Sequence, residues 1–257
     1  MKPWSKTPAT LTVDGVVMDT KELTIPAGQT KTATFALVRT VGPSAEVTIA
    51  GLTKTLTVNE GILPQLDTGD TWELAMMTPD GELTATFEII GGEGSSEYQG
   101  QMSFDPPIEG VLSSAFLTID KQYLRDTGLE ATGDGGVPFS MKTTMEYEPK
   151  DSQIYPLTAG KEVTVTEIES SEFMFAGEGE EETITSTYTY VVEGIEDVTV
   201  PADTFRAFKV VKYDVDGEPA ETTWSSHAVK GFDVKSIDHE EGESSDLISY
   251  TLVGSNS

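Results

Sequence analysis

Between Val191 and Ile237 the chain changes direction every few residues, and this limits it to short antiparallel strands. Val198-Thr199-Val200 and Phe205 to Val211 are runs of β-branched and aromatic residues, the side chains that suit a pleated surface. Pro201-Ala202-Asp203 separates them: proline presets the first corner of a turn and aspartate accepts local backbone bonds at the next. Asp216-Gly217 is a hairpin signal between Tyr213 and the run Glu221 to Trp224. Gly231 sets off a last short strand, Phe232 to Ile237. The stretch predicts an antiparallel meander whose apolar residues are Phe205, Phe208, Val210, Trp224 and Val234.

The same punctuation extends over the chain. Leu11 and Val13, Leu23 and Ile25, Phe35 and Leu37, Val47 and Ile49, and Leu52, Leu56 and Val58 alternate with Thr and Lys, as on a sheet with one wet face. Turns are expected at Asp14-Gly15, Pro26-Ala27-Gly28 and Ala50-Gly51. Residues 59–65, with Gly61 and Pro64, read as a linker. Beyond it, strands are expected at Glu82 to Ile90, Tyr98 to Phe104, Leu112 to Ile119, Phe139 to Tyr147, Lys161 to Ile168 and Thr183 to Val192. Ile248, Tyr250 and Leu252 are expected to line the last one. Asp120 to Leu129 fits a short helix or another strand. Leu66-Asp67-Thr68-Gly69 before Trp72 is echoed by Leu157-Thr158-Ala159-Gly160 before Val163, and Thr84-Ala85-Thr86-Phe87 by Thr187-Tyr188-Thr189-Tyr190. Such spacing fits two duplicated halves, and it equally fits the monotony of β meanders.

Two resemblances follow from these residues. Residues 10–58, with Asp14-Gly15, the Pro26-Ala27-Gly28 stretch leading to Phe35, and Val47-Thr48-Ile49 before Gly51-Leu52, resemble the C-terminal part of a bacterial cell-adhesion-related domain of immunoglobulin-like fold. A sandwich of that class has about seven strands, and only nine residues precede Thr10. Val198 to Val210, Thr222-Thr223-Trp224 and Gly231 to Lys235 resemble uncharacterised extracytoplasmic prokaryotic proteins, similar in outline to the lipoprotein-carrier fold, a curved antiparallel sheet around an apolar groove. Asp203 stands where that pattern has glycine. The resemblances imply a partial immunoglobulin-like module over residues 1–58, then a larger curved β-sheet domain over 66–257, in a protein of the cell surface or exterior. Its export signal would lie outside this sequence, because MKPWSKTPAT carries no hydrophobic segment.

Composition bounds function more than fold. A net charge of −28 opposes nucleic acid and anionic membranes, both of which need clustered Lys and Arg. No apolar run reaches the roughly 18 residues of a membrane helix. Cysteine is absent, which removes disulfides and thiol chemistry. The histidines, His227 and His239, sit in turn sequences with no patterned nucleophile. Glu178, Glu180, Glu181 and Glu182, and a second run at Asp238, Glu240, Glu241 and Glu243, have ligand types suited to calcium but not the spacing of a calcium loop. Trp72, Tyr98 and Trp224 are candidates for a sugar platform or ligand groove, although aromatic residues within strands more often form core. No cofactor site is discernible. The expectation is a non-catalytic surface, adhesion or assembly protein, taking another chain by strand addition to its first module. The alternatives are a carrier of a lipid or other apolar ligand, then a carboxylate-based hydrolase.

Overall fold

The computed structural model describes residues 5–13, 16–25, 44–49, 52–57, 64–108, 112–122, 125–134, 138–176 and 178–254. The chain divides into two compact units, Met1–Gly61 and Ile62–Ser257. In the first, strands β1 (Ser5–Val13), β2 (Val16–Ile25), β3 (Ser44–Ile49) and β4 (Leu52–Thr57) form one antiparallel sheet in the order β2-β1-β3-β4. A facing second sheet, which a sandwich requires, is not among the described residues. The stretch with Pro26-Ala27-Gly28, Phe35 and Leu37, and the glycine turns at Gly15 and Gly51, lie outside them.

The second unit contains twelve strands: β5 (Thr71–Thr78), β6 (Gly81–Gly91), β7 (Glu97–Ile108), β8 (Leu112–Asp120), β9 (Asp126–Asp134), β10 (Pro138–Glu148), β11 (Glu162–Phe175), β12 (Glu178–Val200), β13 (Asp203–Tyr213), β14 (Pro219–Ser226), β15 (Asp233–Asp238) and β16 (Ser244–Thr251). Each pairs antiparallel with the next, and β16 returns to pair with β5, Leu247 opposite Leu74 and Tyr250 opposite Trp72. The expected curved open sheet is therefore a closed up-and-down barrel. Closure removes both edges, which would otherwise present unpaired backbone groups. The segment 120–129, open between helix and strand in the sequence, turns at residues 120–122 and enters β9 at Asp126. On β16 a register shift between Leu247 and Ser249 makes Leu247 the fully buried residue, and leaves Tyr250 40% exposed rather than lining the core.

The apolar residues of the 191–237 meander are all buried but belong to two clusters. Phe205, Trp224 and Val234 pack with Trp72, Phe87, Ile89 and Leu247. Phe208 and Val210, which alternate with Phe205 and Ala207 on β13, pack with Leu157 and Val192. Leu157 reaches them because the segment between β10 and β11 turns inward instead of running over the surface.

A buried ion pair clasps the closure. Asp70, fully buried just before β5, accepts the Asp67 and Val253 backbone N–H groups, each at 2.7 Å. Lys230 Nζ donates to both Asp70 oxygens at 2.8 and 2.7 Å, to Asp67 at 2.6 Å and to the Val253 carbonyl at 2.8 Å. Lys230 is the left-handed residue (φ 58°) that ends a short 3-10 turn, His227–Val229. One lysine thus ties the start of β5, the residues after β16 and the β14–β15 connection. Removing one partner strands a buried charge, which costs about 3–5 kcal/mol. Lys230→Met is expected to lower the melting temperature by roughly 10 °C, given about 2–4 °C per kcal/mol at this size. An unchanged melting curve would show that closure does not rely on the clasp.

Candidate ligand-binding cavity

The barrel repeats itself in register. In the first six strands Gly69 N–H donates to the Ile89 carbonyl at 2.7 Å and Ile89 N–H to the Asp70 carbonyl at 2.9 Å. In the last six, Gly160 N–H donates to the Val192 carbonyl and Val192 N–H to the Lys161 carbonyl, both at 2.8 Å. Both second strands then carry a bulge one residue further on, between Ile89 and Gly91 and between Val192 and Gly194. Following the ladders onward, Phe87 faces Met102 as Tyr190 faces Lys212. Gly100 faces Leu117 as Val210 faces Thr223.

The repeat ends on two aspartates. A register shift beside Ile119 brings Asp126 opposite it, and a shift beside Ser225 brings Asp233 opposite that residue. A bulge adds one residue to a strand and so transfers the inward position to its neighbour. Unbroken alternation would have placed Thr127 opposite Ile119 and Val234 opposite Ser225. At corresponding places in the two halves, a register shift therefore sets a carboxylate opposite Ile119 and opposite Ser225, while Val234 stays buried in the core.

Both aspartates line two neighbouring chambers of the barrel unit, which have Asp126, Tyr155 and Asp233 as common lining. One, about 260 Å³, is walled by Leu66, Phe87, Met102, Leu117, Ile119 and Phe232. The other, about 270 Å³, carries at the corresponding positions Leu157, Tyr190, Thr223 and Ser225, with Glu167 and Glu221 added. The same backbone plan thus builds one apolar and one polar chamber. Phe87 lies flat over Gly100, where a Cβ would come within 2.5 Å of its ring, so that position of the apolar half requires glycine. Phe232 stacks on Trp72 at 4.5 Å between ring centroids and 12° between planes, and Phe87 completes the aromatic wall.

In the polar chamber most groups are committed. Tyr190 Oη donates to Glu167, and Lys212 Nζ donates to the other Glu167 oxygen at 3.0 Å. Lys212 also lies 3.8 Å from the Tyr188 ring centroid. Arg125 donates to Ser152 Oγ at 2.8 Å and to the Lys150 carbonyl at 2.7 Å, and sits 4.2 Å from the Tyr147 ring centroid. Ser225 Oγ donates to Asp233. The Asp126 carboxylate has no hydrogen bond or ion pair among the described residues.

This environment shifts several groups. Desolvation pushes the Asp126 carboxyl up to about 6. Asp126 is an exposed residue of β9 by accessible surface and lines the chamber, whereas Asp233 is the more buried of the two. Desolvation pushes Asp233 further, to about 7, with Glu221 adding to the rise and the Ser225 hydrogen bond opposing it. Burial also raises Glu221, against the pull of Lys212. The tyrosines Tyr147, Tyr155 and Tyr190 are raised, first by burial.

Of the aromatic residues singled out in the sequence, Trp72 and Trp224 are core, 0% and 8% exposed, and Tyr98 is half-buried. Trp224 Nε1–H donates to Glu196 at 2.6 Å. None of the three lines either chamber. Glu178, Glu180, Glu181 and Glu182 begin β12 as exposed strand residues with side chains on alternating faces. In the second acidic run, Asp238 caps its own turn by accepting the Glu240 and Glu241 N–H groups at 2.8 Å. Among the described residues, no three His, Cys, Asp or Glu side chains converge to hold a metal ion. His227 and His239 are exposed, the latter 2.9 Å from the Thr222 hydroxyl. Alternation singles out neither Asp126 nor Asp233, although Leu66, Phe87, Leu157, Tyr190 and Val210 of the cavity walls stand in the patterned strands and the internal echo. Extending the Leu66/Leu157 echo forward strand by strand would have aligned Asp126 with Asp233.

No family model, curated protein or solved structure matches this chain.

The raised aspartates give stability a definite pH dependence. Above the ordinary aspartate value of 3.8 the unfolded chain sheds these protons while the folded protein keeps them until pH 6 to 7. Their stabilising contribution is complete below pH 3.8 and is lost as pH rises through 7. Asp233→Asn cannot ionise, so its melting temperature should fall less than wild type's between pH 4.5 and 8. Parallel melting curves across that range would show that Asp233 titrates as an ordinary surface carboxyl.

Proposed function

We propose that the barrel unit is a non-catalytic binding protein that holds one small amphiphilic molecule across the two chambers, apolar body against Phe87, Leu117 and Phe232, polar end toward Asp126 and Asp233. The observation that carries this reading is the junction itself: two carboxylates, delivered by matching bulges, where an apolar chamber meets a polar one. Small-molecule sites are mostly apolar concavities of about 300–1,000 Å³ with a few placed polar groups, and the joined chambers fall in that range. With twelve strands the barrel is wider than the eight-stranded size that side chains just fill, and larger barrels enclose ligand cavities. A desolvated carboxylate costs free energy unless something compensates it, and such groups cluster at binding and catalytic sites. The resemblance of the Val198 to Lys235 pattern to extracytoplasmic proteins supports a location outside the cytoplasm or on the cell surface, and a carrier role there.

Uncharged amphiphiles test the binding reading. 1-Octanol or 2-phenylethanol should raise the melting temperature in proportion to the logarithm of concentration, as a ligand of the native state does. Leu117→Trp should fill the apolar chamber and abolish that shift while the barrel still melts cooperatively. No shift from any such compound, together with no small molecule retained in native mass spectrometry, would contradict the reading.

A second reading concerns the first unit. Its sheet ends on β4, a six-residue strand paired with β3 on one side. Among the described residues no strand pairs with the other side of β4, and an edge of that kind accepts strands from other chains, which supports the surface-assembly role. Association that strengthens with concentration and disappears when Thr55 becomes proline would support it. Strictly monomeric light scattering at all concentrations would contradict it.

A further inference from the structure

Resting on the binding reading above, we propose that the ligand carries a protonated amine, received by Asp126 and Asp233 where the two chambers join, with its hydrocarbon part in the apolar chamber. Charge accounting in the polar chamber leads to this class. Its carboxylates are Asp126, Glu167, Glu221 and Asp233, and the cations facing them are Arg125 and Lys212. Lys212 is bound to Glu167 and offsets Glu221 from the neighbouring strand. Arg125 donates to Ser152 and to the Lys150 carbonyl and lies over the Tyr147 ring. The six groups together carry two excess negative charges; among the described residues Asp126, Glu221 and Asp233 have no ion pair, and the two aspartates are the ones that line both chambers. Among the described residues Asp126 has no hydrogen-bond or ion-pair partner, and Asp233 has one hydroxyl, Ser225.

A carboxylate accepts hydrogen bonds and balances positive charge, so the missing complement is a cationic donor. An ammonium group supplies three N–H donors in a compact head. The tyrosine faces around the polar chamber are compatible with a cation, as the placement of Lys212 over Tyr188 and Arg125 over Tyr147 shows. A fatty acid or phosphate ester would bring a further negative charge to four carboxylates. A neutral alcohol would leave both aspartates uncompensated. The aromatic wall of Phe87 and Phe232 suits an aryl or short alkyl chain, and the chamber size limits it to roughly the scale of a phenylethyl or octyl group.

The binding event is linked to protons. An ammonium favours the ionised aspartates, so binding releases the protons that desolvation retains in the free protein. Affinity should rise with pH from 5 to 8. Glu221, raised by burial, shares this field and reinforces the trend.

The test compares matched skeletons on the full-length chain by calorimetry at pH 7.5: 2-phenylethylamine, 2-phenylethanol and phenylacetate, and octylamine, 1-octanol and octanoate. In at least one skeleton the amine should bind tenfold or more tightly than its alcohol, and the carboxylate should not bind. Asp126→Asn and Asp233→Asn should each erase that preference while the variants still melt in one cooperative transition, which separates lost recognition from lost folding. Amine affinity should also fall at least tenfold from pH 8 to pH 5. An alcohol or carboxylate that binds as tightly as its amine would overturn the inference and leave the binding reading intact. If no compound of either series binds, both fail.

Discussion

Everything inside the second unit depends on the last strand finding the first. Until β16 pairs with β5, the twelve strands form a twisted ribbon with two open edges and no lumen. Asp70 and Lys230 sit at that join, where one buried carboxylate and one lysine connect chain segments far apart in sequence. A buried ion pair is poor evidence for stability on its own, because desolvation offsets its Coulomb energy. Its value here is geometric: Asp70 is satisfied only when β5, the residues after β16 and the β14–β15 turn are all in place. Closure also means forming contacts between strands more than 160 residues apart, which slows folding relative to local pairing.

On that closed frame, two six-stranded halves follow one hydrogen-bonding plan and differ in side chains. Where one half has Phe87, Met102, Leu117 and Ile119, the other has Tyr190, Lys212, Thr223 and Ser225. The backbone positions are matched, so the difference between the chambers is chemical. The aspartates are the exception, the same residue at matching bulges in both halves. An arrangement of this kind keeps the polar junction constant while assigning hydrocarbon to one side and hydrogen bonding to the other.

Sequence patterning identified the strands because alternation is local, and Phe205, Trp224 and Val234 were readable as core for the same reason. Closure was not readable: nothing in Thr71–Thr78 or Ser244–Thr251 names its partner, and a curved open sheet has the same alternation as a barrel. The single apolar set expected of the meander became two clusters because β13 buries both of its faces. Bulges caused the larger misses. One extra residue at Ile248 moved burial to Leu247, and the shifts beside Ile119 and Ser225 turned aspartates inward that simple alternation sends elsewhere. Trp72 and Trp224 drew attention as large aromatics, yet the cavity is built from smaller groups around them. The first unit's Phe35 and Leu37 lie outside the described residues.

The most direct measurement of the central claim is carbon-detected NMR of aspartate carboxyl groups during titration with 2-phenylethylamine. The account predicts that the Asp126 and Asp233 signals move together and saturate with one dissociation constant, while exposed Asp203 and Asp216 stay fixed. Shifts spread evenly over all carboxylates without saturation would mean that the amine only samples the acidic surface, and would contradict it.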